Sequence, residues 1–485
     1  MRNVFPALLL FITLFGCGGK NPVGPPPPKP YTVESVEVSP SYAELDVNIN
    51  TTQQFTAKVN YTGEGKKPAD INKVIWKVTG SDSGTITQSG LYTVGDNHPN
   101  GGIDTVWAIS KFDTTKRGFA VVKVGFYHPT GTQWVRYVAY GPGSFGVGIV
   151  TDQNNNIIFG SNVTGENGNL IATRIASLDK FGHTGWTIDP TKNANWPQPN
   201  IGQFTTPDGY NLYFIAATGN PNSLPTITLG KVTSDGQLLI DPAQNVIYSG
   251  TAFSITSSQN EIFVGGYDDT REAYVRIFDL QGNFLRKIRL KPGDNGKPAV
   301  TGLFYKNGYL YVSFMYVSTQ GNFNFAGMVQ KWNLANDNLV WQKSYEDILF
   351  PSVLVNDNGV VYFLGSLYGG NGYIWFGAGL DENGNELWKQ YTQFSTGWNG
   401  NEIRYAALDK NGNAVAVGHV LNPSDAAVWI LNQYGTELKV QRIDLGNGEF
   451  MQSVAVDNEN RVYISGSVYP PGINVPVAVV AKLDY

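Results

Sequence analysis

Along most of the chain, short apolar runs alternate with compact clusters of Asp, Asn, Gly and Ser at regular spacing. The stretch 350–393 displays the pattern in full. Ser352-Val353-Leu354-Val355 leads through Asn356-Asp357-Asn358-Gly359 into Val360-Val361-Tyr362-Phe363-Leu364-Gly365. After Gly369-Gly370-Asn371-Gly372 comes a third apolar run, Tyr373-Ile374-Trp375-Phe376-Gly377-Ala378-Gly379-Leu380. Asp381-Glu382-Asn383-Gly384-Asn385 then opens into Glu386-Leu387-Trp388-Lys389-Gln390-Tyr391. Asp and Asn tolerate left-handed backbone and Gly adopts it without steric cost, so the polar clusters predict hairpin turns. Four strands joined by three hairpins make one antiparallel unit.

The first turn recurs at 152–156, 207–209, 257–260, 306–308, 357–359, 409–412 and 457–460. The second polar turn recurs in step at 179–182, 234–236, 279–282, 333–336, 381–384 and 432–435. A period of roughly 50 residues signals a propeller or solenoid, and the turns count about seven units, within the propeller range. The seventh unit stops at Lys482-Leu483-Asp484-Tyr485, where the others begin their second polar turn. Far upstream, Gly131-Thr132-Gln133-Trp134-Val135-Arg136-Tyr137 matches the outer strand that begins at Gly384. The expectation is a seven-bladed β-propeller over residues 126–485, closed by this N-terminal outer strand, which hides an aggregation-prone sheet edge.

Units such as Val454-Ala455-Val456-Asp457-Asn458-Glu459-Asn460-Arg461-Val462-Tyr463-Ile464-Ser465-Gly466 resemble those of bacterial repeat propellers. Glu261-Ile262-Phe263-Val264-Gly265-Gly266-Tyr267 resembles a kelch repeat, and 380–388 is similar to the tryptophan-docking repeat of quinoprotein-type propellers. That broad class runs from enzymes to scaffolds, so it leaves function open. Loop length discriminates better. The tight first and third connections share one face, whereas the second connections and the crossings between units are longer and lie opposite. Longer loops on a rigid scaffold are where binding concentrates. The candidate contacts on that face are Trp196, Tyr316, Phe323, Tyr368, Trp398 and Tyr469, whose rings suit sugars or protein partners.

Residues 31–125 read as a β-sandwich of about seven short alternating strands, with Trp76 filling the core. Val36-Glu37-Val38-Ser39-Pro40, Gln54-Phe55-Thr56-Ala57, Ile75-Trp76-Lys77-Val78 and the run 84–92 resemble bacterial group 2 immunoglobulin-like domains. The resemblance implies a spacer or an adhesive module on a cell surface.

At the N-terminus, Arg2 and the apolar run 8–15 form a signal peptide (residues 1–16), too short to span a bilayer of roughly 30 Å. Leu14-Phe15-Gly16-Cys17 resembles the bacterial lipobox, which implies lipidation of Cys17. Residues 17–30, with Pro25-Pro26-Pro27-Pro28, read as a semi-rigid tether standing the folded part off the membrane.

With 15% charged residues and a net charge of -5 but no basic cluster, nucleic acid is a poor partner. The single cysteine excludes an internal disulfide. His98, His128, His183 and His419 lack metal-ligand spacing and read as incidental surface or loop residues. No nucleophile elbow or catalytic constellation stands out, so no catalytic residue, metal or cofactor is assigned. The expectation is an all-β, membrane-anchored, extracytoplasmic bacterial lipoprotein acting as a monomer, whose propeller binds a protein or carbohydrate. Propeller lipoproteins that help assemble outer-membrane proteins offer an analogy. The rival is an enzyme, a polysaccharide lyase or glycosidase or a quinone-dependent dehydrogenase, which would gather ionisable groups around the funnel.

Overall fold

Every regular element among the described residues is a β-strand. The computed structural model describes residues 27–46, 51–80, 84–95, 102–125, 131–138, 143–192, 200–218, 225–242, 245–268, 270, 272–290, 297–317, 325–369, 372–392, 402–420, 425–469 and 475–485. The signal peptide, Cys17 and most of the tether lie outside them. None of these residues forms a helix long and apolar enough to cross a membrane.

The N-terminal segment builds three sheets. Thr32–Ser39 pairs with Thr56–Thr62, and Tyr42–Asp46 runs parallel to Arg117–Gly125 at the edge of a four-stranded sheet. Thr52–Gln54, Thr85–Ile86 and Leu91–Thr93 form the third. Alternation along Arg117–Gly125 sends every second residue into a core that includes Phe55, Trp76, Tyr92, Val106 and Val122. Asp104 is buried within it and accepts hydrogen bonds from the Tyr92 hydroxyl (2.6 Å) and the Gly84 amide (2.9 Å).

The remainder forms repeating four-stranded units. Their first strands are Gly143–Thr151, Asn200–Thr205, Val246–Ser257, Lys297–Lys306, Ile348–Val355, Glu402–Leu408 and Asn447–Val456. Each contacts the next in order, and that of unit seven contacts that of unit one. Middle strands are covered on both faces, which is why Val361–Tyr368 and Ala414–Val420 read as continuous apolar runs. Outer strands such as Glu386–Thr392 alternate between covered and exposed.

Unit seven takes its fourth strand from the N-terminal side. Thr132–Val138 pairs antiparallel with Val477–Leu483, with Trp134 opposite Lys482 and Val135 opposite Ala481. The Asp484 amide donates to the Gly131 carbonyl at 2.9 Å. The equivalent bond in unit five runs from Asp381 to Asn385 at 2.8 Å, so a turn is rebuilt from two distant parts of the chain.

Neighbouring units are latched by tryptophans. The indole N–H groups of Trp134, Trp186, Trp341 and Trp388 donate to the carbonyls of Lys180, Ser234, Glu382 and Gln433, each in the last tight turn of the next unit, at 2.7–3.1 Å. The turn glycines Gly182, Gly236, Gly384 and Gly435 all have positive φ, and a Cβ on any of them would meet the docked indole. Glycine is required there twice over, by backbone conformation and by contact.

Two crossings depart from the expected long loops. Units four and five are joined by Asp347 alone, at φ 58. Units two and three share one sheet, because the start of Val246–Ser257 pairs with Thr226–Val232 before its later part pairs with Glu261–Asp268. The short strand Leu238–Ile240 leaves that edge open.

Candidate functional site

The seven first strands line a central cavity of about 380 Å³. Its walls are aliphatic and aromatic carbon with the hydroxyls of residues such as Thr151, Thr205, Thr256 and Ser352. Among the described residues no Asp, Glu, Lys, Arg or His lines it. The Tyr405 hydroxyl, which does, is pushed up to about 12 by burial.

Just before the cavity-lining stretch, the first strand of every unit slips register against the second. The slips fall at Gly146/Gly148, Ile201/Phe204, Ala252/Ser254, Val300/Gly302, Leu349/Ser352, Ile403/Tyr405 and Met451/Ser453. A β-bulge re-aims a side chain and bends the strand. Seven bulges at one height therefore make a ring of irregular positions, among them Phe253, Thr301, Phe350 and Arg404, on the side where the chain crosses between units. Phe350 has φ 48, strained for a bulky residue.

On this side, units five to seven bring polar and aromatic groups together. Glu402 lies opposite His419 in the strand pairing, with Oε2 3.9 Å from Nε2. Arg404, the bulge residue, forms an ion pair with Glu402 through Nη2, and its guanidinium sits 4.4 Å over the Phe350 ring of the preceding unit. His419 packs 5.3 Å from the Phe450 ring of the following unit. His419 is only 4% exposed, and burial, helped by the Arg404 charge, lowers its pKa to about 4. The ring is thus neutral at neutral pH. Burial and then the Glu402 charge raise the Tyr373 hydroxyl. Nearby in sequence, Glu449 is fully buried and accepts the Leu445 amide at 2.7 Å. Burial outweighs that bond and, with the charges of Asp425 and Asp444, raises its pKa to about 8.

Of the residues singled out from sequence, Cys17, Trp196, Phe323 and Trp398 lie outside the described residues. Tyr316 is 9% exposed and packs in a core cluster with Phe314 and Met328. Tyr368 is 36% exposed and lies 5.3 Å from Tyr373, which ties it to the Glu402 neighbourhood. Tyr469 is half-buried at the end of its strand, opposite Asn447. The reading of His419 as an incidental surface or loop residue is corrected: it is buried in a strand. His183 is a turn residue whose ring meets Asp179 at 2.8 Å, while His98 and His128 lie outside the described residues. Glu402, Arg404, Phe350 and Phe450 were missed. Phe350 and Arg404 share a place in a first-strand bulge, which no residue type announces in the sequence. Among the described residues no group of three potential metal ligands occurs.

No protein-family model matches the chain, and no curated protein matches it by sequence. Several solved structures are similar in shape. The periplasmic gluconolactonase of Pseudomonas aeruginosa is 12% identical, with a TM-score of 0.45, over 70% of this chain and 96% of that one. Drosophila Plexin A, in complex with Semaphorin 1b, is 7% identical, with a TM-score of 0.43, over 74% and 88%. The extracellular domain of a putative one component system from B. thetaiotaomicron is 13% identical, with a TM-score of 0.43, over 74% of this chain. The match spans 40% of the length of that Bacteroides chain.

Proposed function

We propose that this is an exported, lipid-anchored binding protein of a bacterial cell envelope. Residues 31–125 act as an immunoglobulin-like spacer and residues 126–485 as a seven-bladed propeller. The crossing side of the propeller recognises a protein or carbohydrate partner. The cyclic contact order of the first strands and the pairing of Thr132–Val138 with Val477–Leu483 support the propeller reading. The sole cysteine, at position 17 behind an apolar run and before a proline-rich stretch, supports the anchor.

One observation carries the preference for binding over catalysis: the cavity wall is neutral. An enzyme working in the funnel would need charged groups or general acids and bases there. The Glu402, Arg404 and His419 cluster favours a second, enzymatic reading, because it sets ionisable groups at the mouth. Detergent-extracted full chain, screened against glycans and envelope proteins while product formation is followed, separates the two. Saturable binding without turnover is the expected result, and turnover of a bound polymer would reject it. Cys17→Ser should move the protein from the membrane fraction to the soluble one; persistence in the detergent phase would reject lipidation.

A further inference from the structure

The polar cluster at the crossing side has a composition that narrows its ligand. Arg404 offers a rigid fork of N–H donors, and Glu402, joined to it, offers carboxylate acceptors. A hydroxyl both donates and accepts, so two adjacent hydroxyls match this pair better than a single charged group does. The two formal charges cancel and His419 is neutral, so a free anion meets Glu402 and a free cation meets Arg404. Three polar atoms of the cluster, Glu402 Oε2, Arg404 Nε and His419 Nδ1, are buried with no hydrogen-bond partner among the described residues, Glu402 Oε2 meeting Arg404 only as an ion pair. Groups left in that condition are uncommon and costly. The exposed Phe450 ring, at 39%, supplies an apolar face beside them. Phe350 is held at a strained backbone angle with its ring beneath the Arg404 guanidinium.

We propose that Glu402, Arg404 and His419, flanked by Phe350 and Phe450, form a subsite for a neutral sugar. The sugar is held through two vicinal hydroxyls, with one C–H face against Phe450. This rests on the binding reading above and names its ligand class. The full chain in detergent is titrated calorimetrically with neutral oligosaccharides (gluco-, manno-, galacto- and xylo-configured) and with matched uronic-acid oligosaccharides. At least one neutral series should bind, and the uronic acids more weakly. Glu402→Gln and Arg404→Met should each weaken binding by at least about tenfold, and Phe450→Ala by about fivefold. Arg404→Lys, which keeps the charge and loses the fork, should weaken it nearly as much as Arg404→Met. Tyr434→Ala, on an exposed turn of the opposite side, should leave it unchanged. Thermal melts of all variants confirm folding, and Arg404→Lys carries the test if a bolder substitution unfolds the chain. Failure of every neutral series, preference for uronic acids, or affinity untouched by all four subsite variants would overturn the subsite. An envelope protein still bound by the Glu402→Gln, Arg404→Met double variant would leave the wider reading standing. Release of new reducing ends would overturn the binding-only reading and not the subsite.

Discussion

The two ends of the central cavity are built on opposite terms. At the tight-turn end, Asp152, Asp179, Asp279, Asn356, Asp381, Asp409, Asn432 and Asp457 each place one side-chain oxygen on the amides two and four residues ahead. The turn amides are satisfied within the turn itself, and other groups of the motif tie neighbouring units together, as Asn356 Nδ2 does by donating to the Gly412 carbonyl at 3.4 Å. At the crossing end the bulges break the ladder, crossing lengths vary and buried donors stay unmatched. Repetition stabilises one end and frees the other to diversify.

The comparison is broken most severely by removing what closes both ends. Deleting residues 131–138 exposes the edge of Val477–Leu483 and the cluster around Val135, Ala481 and Leu483. Loss of a single cooperative unfolding transition, with aggregation in size-exclusion chromatography, is expected. A soluble monomer with an unchanged melt would contradict the closure.

Single substitutions should then separate the two ends. Asp409→Ala strips partners from the Asn411 and Asn413 amides at a buried turn, and should cost about 2–3 kcal/mol in denaturant titration. At the crossing end, Arg404→Met should change stability by no more than about 1 kcal/mol, because its ion pair is partly exposed. Equal losses at the two sites would erase the distinction. Gly435→Ala, at φ +78 and pressed on the Trp388 indole, should cost about 1–2 kcal/mol by the same measurement.

The smallest effects concern pH. Glu449 has its pKa raised in the fold from 4.5 to about 8, so its contribution is full below 4.5 and is lost as pH rises towards 8. Glu449→Gln should therefore melt a few degrees above wild type at pH 8, and the gain should vanish near pH 4.5. For His419 the pKa falls from 6.5 to about 4, so its contribution is present above 6.5 and is lost as pH falls towards 4. His419→Phe should flatten the acid limb of the melting profile between those values.

What could be read from sequence followed the same division. The turns were legible because left-handed backbone admits few residue types, and Asp-x-Asn-Gly-Asn states the requirement locally. The borrowed strand was legible because Trp134 follows a turn glycine within a few residues, as Trp388 does, and both indoles dock alike. The crossing side was not. Arg404 meets Phe350 only because both strands bulge, and Glu402 meets His419 at the far end of its hairpin, beyond the register slip between Ile403 and Tyr405 that the legible 409–413 turn does not announce. The one-residue crossing at Asp347 was hidden because a left-handed aspartate there looks like any other turn residue.

The strand around Trp134 also shapes the order of assembly. The Tyr137 hydroxyl donates to the Leu445 carbonyl 308 residues away, so Thr132–Val138 must wait for a sheet that is synthesised long after it. Contacts that distant carry a large loop-closure entropy and slow folding. The pairing of Thr132–Val138 with Val477–Leu483 is then a late kinetic step, and until that moment Val477–Leu483 is a bare edge that a chaperone or a second chain can seize.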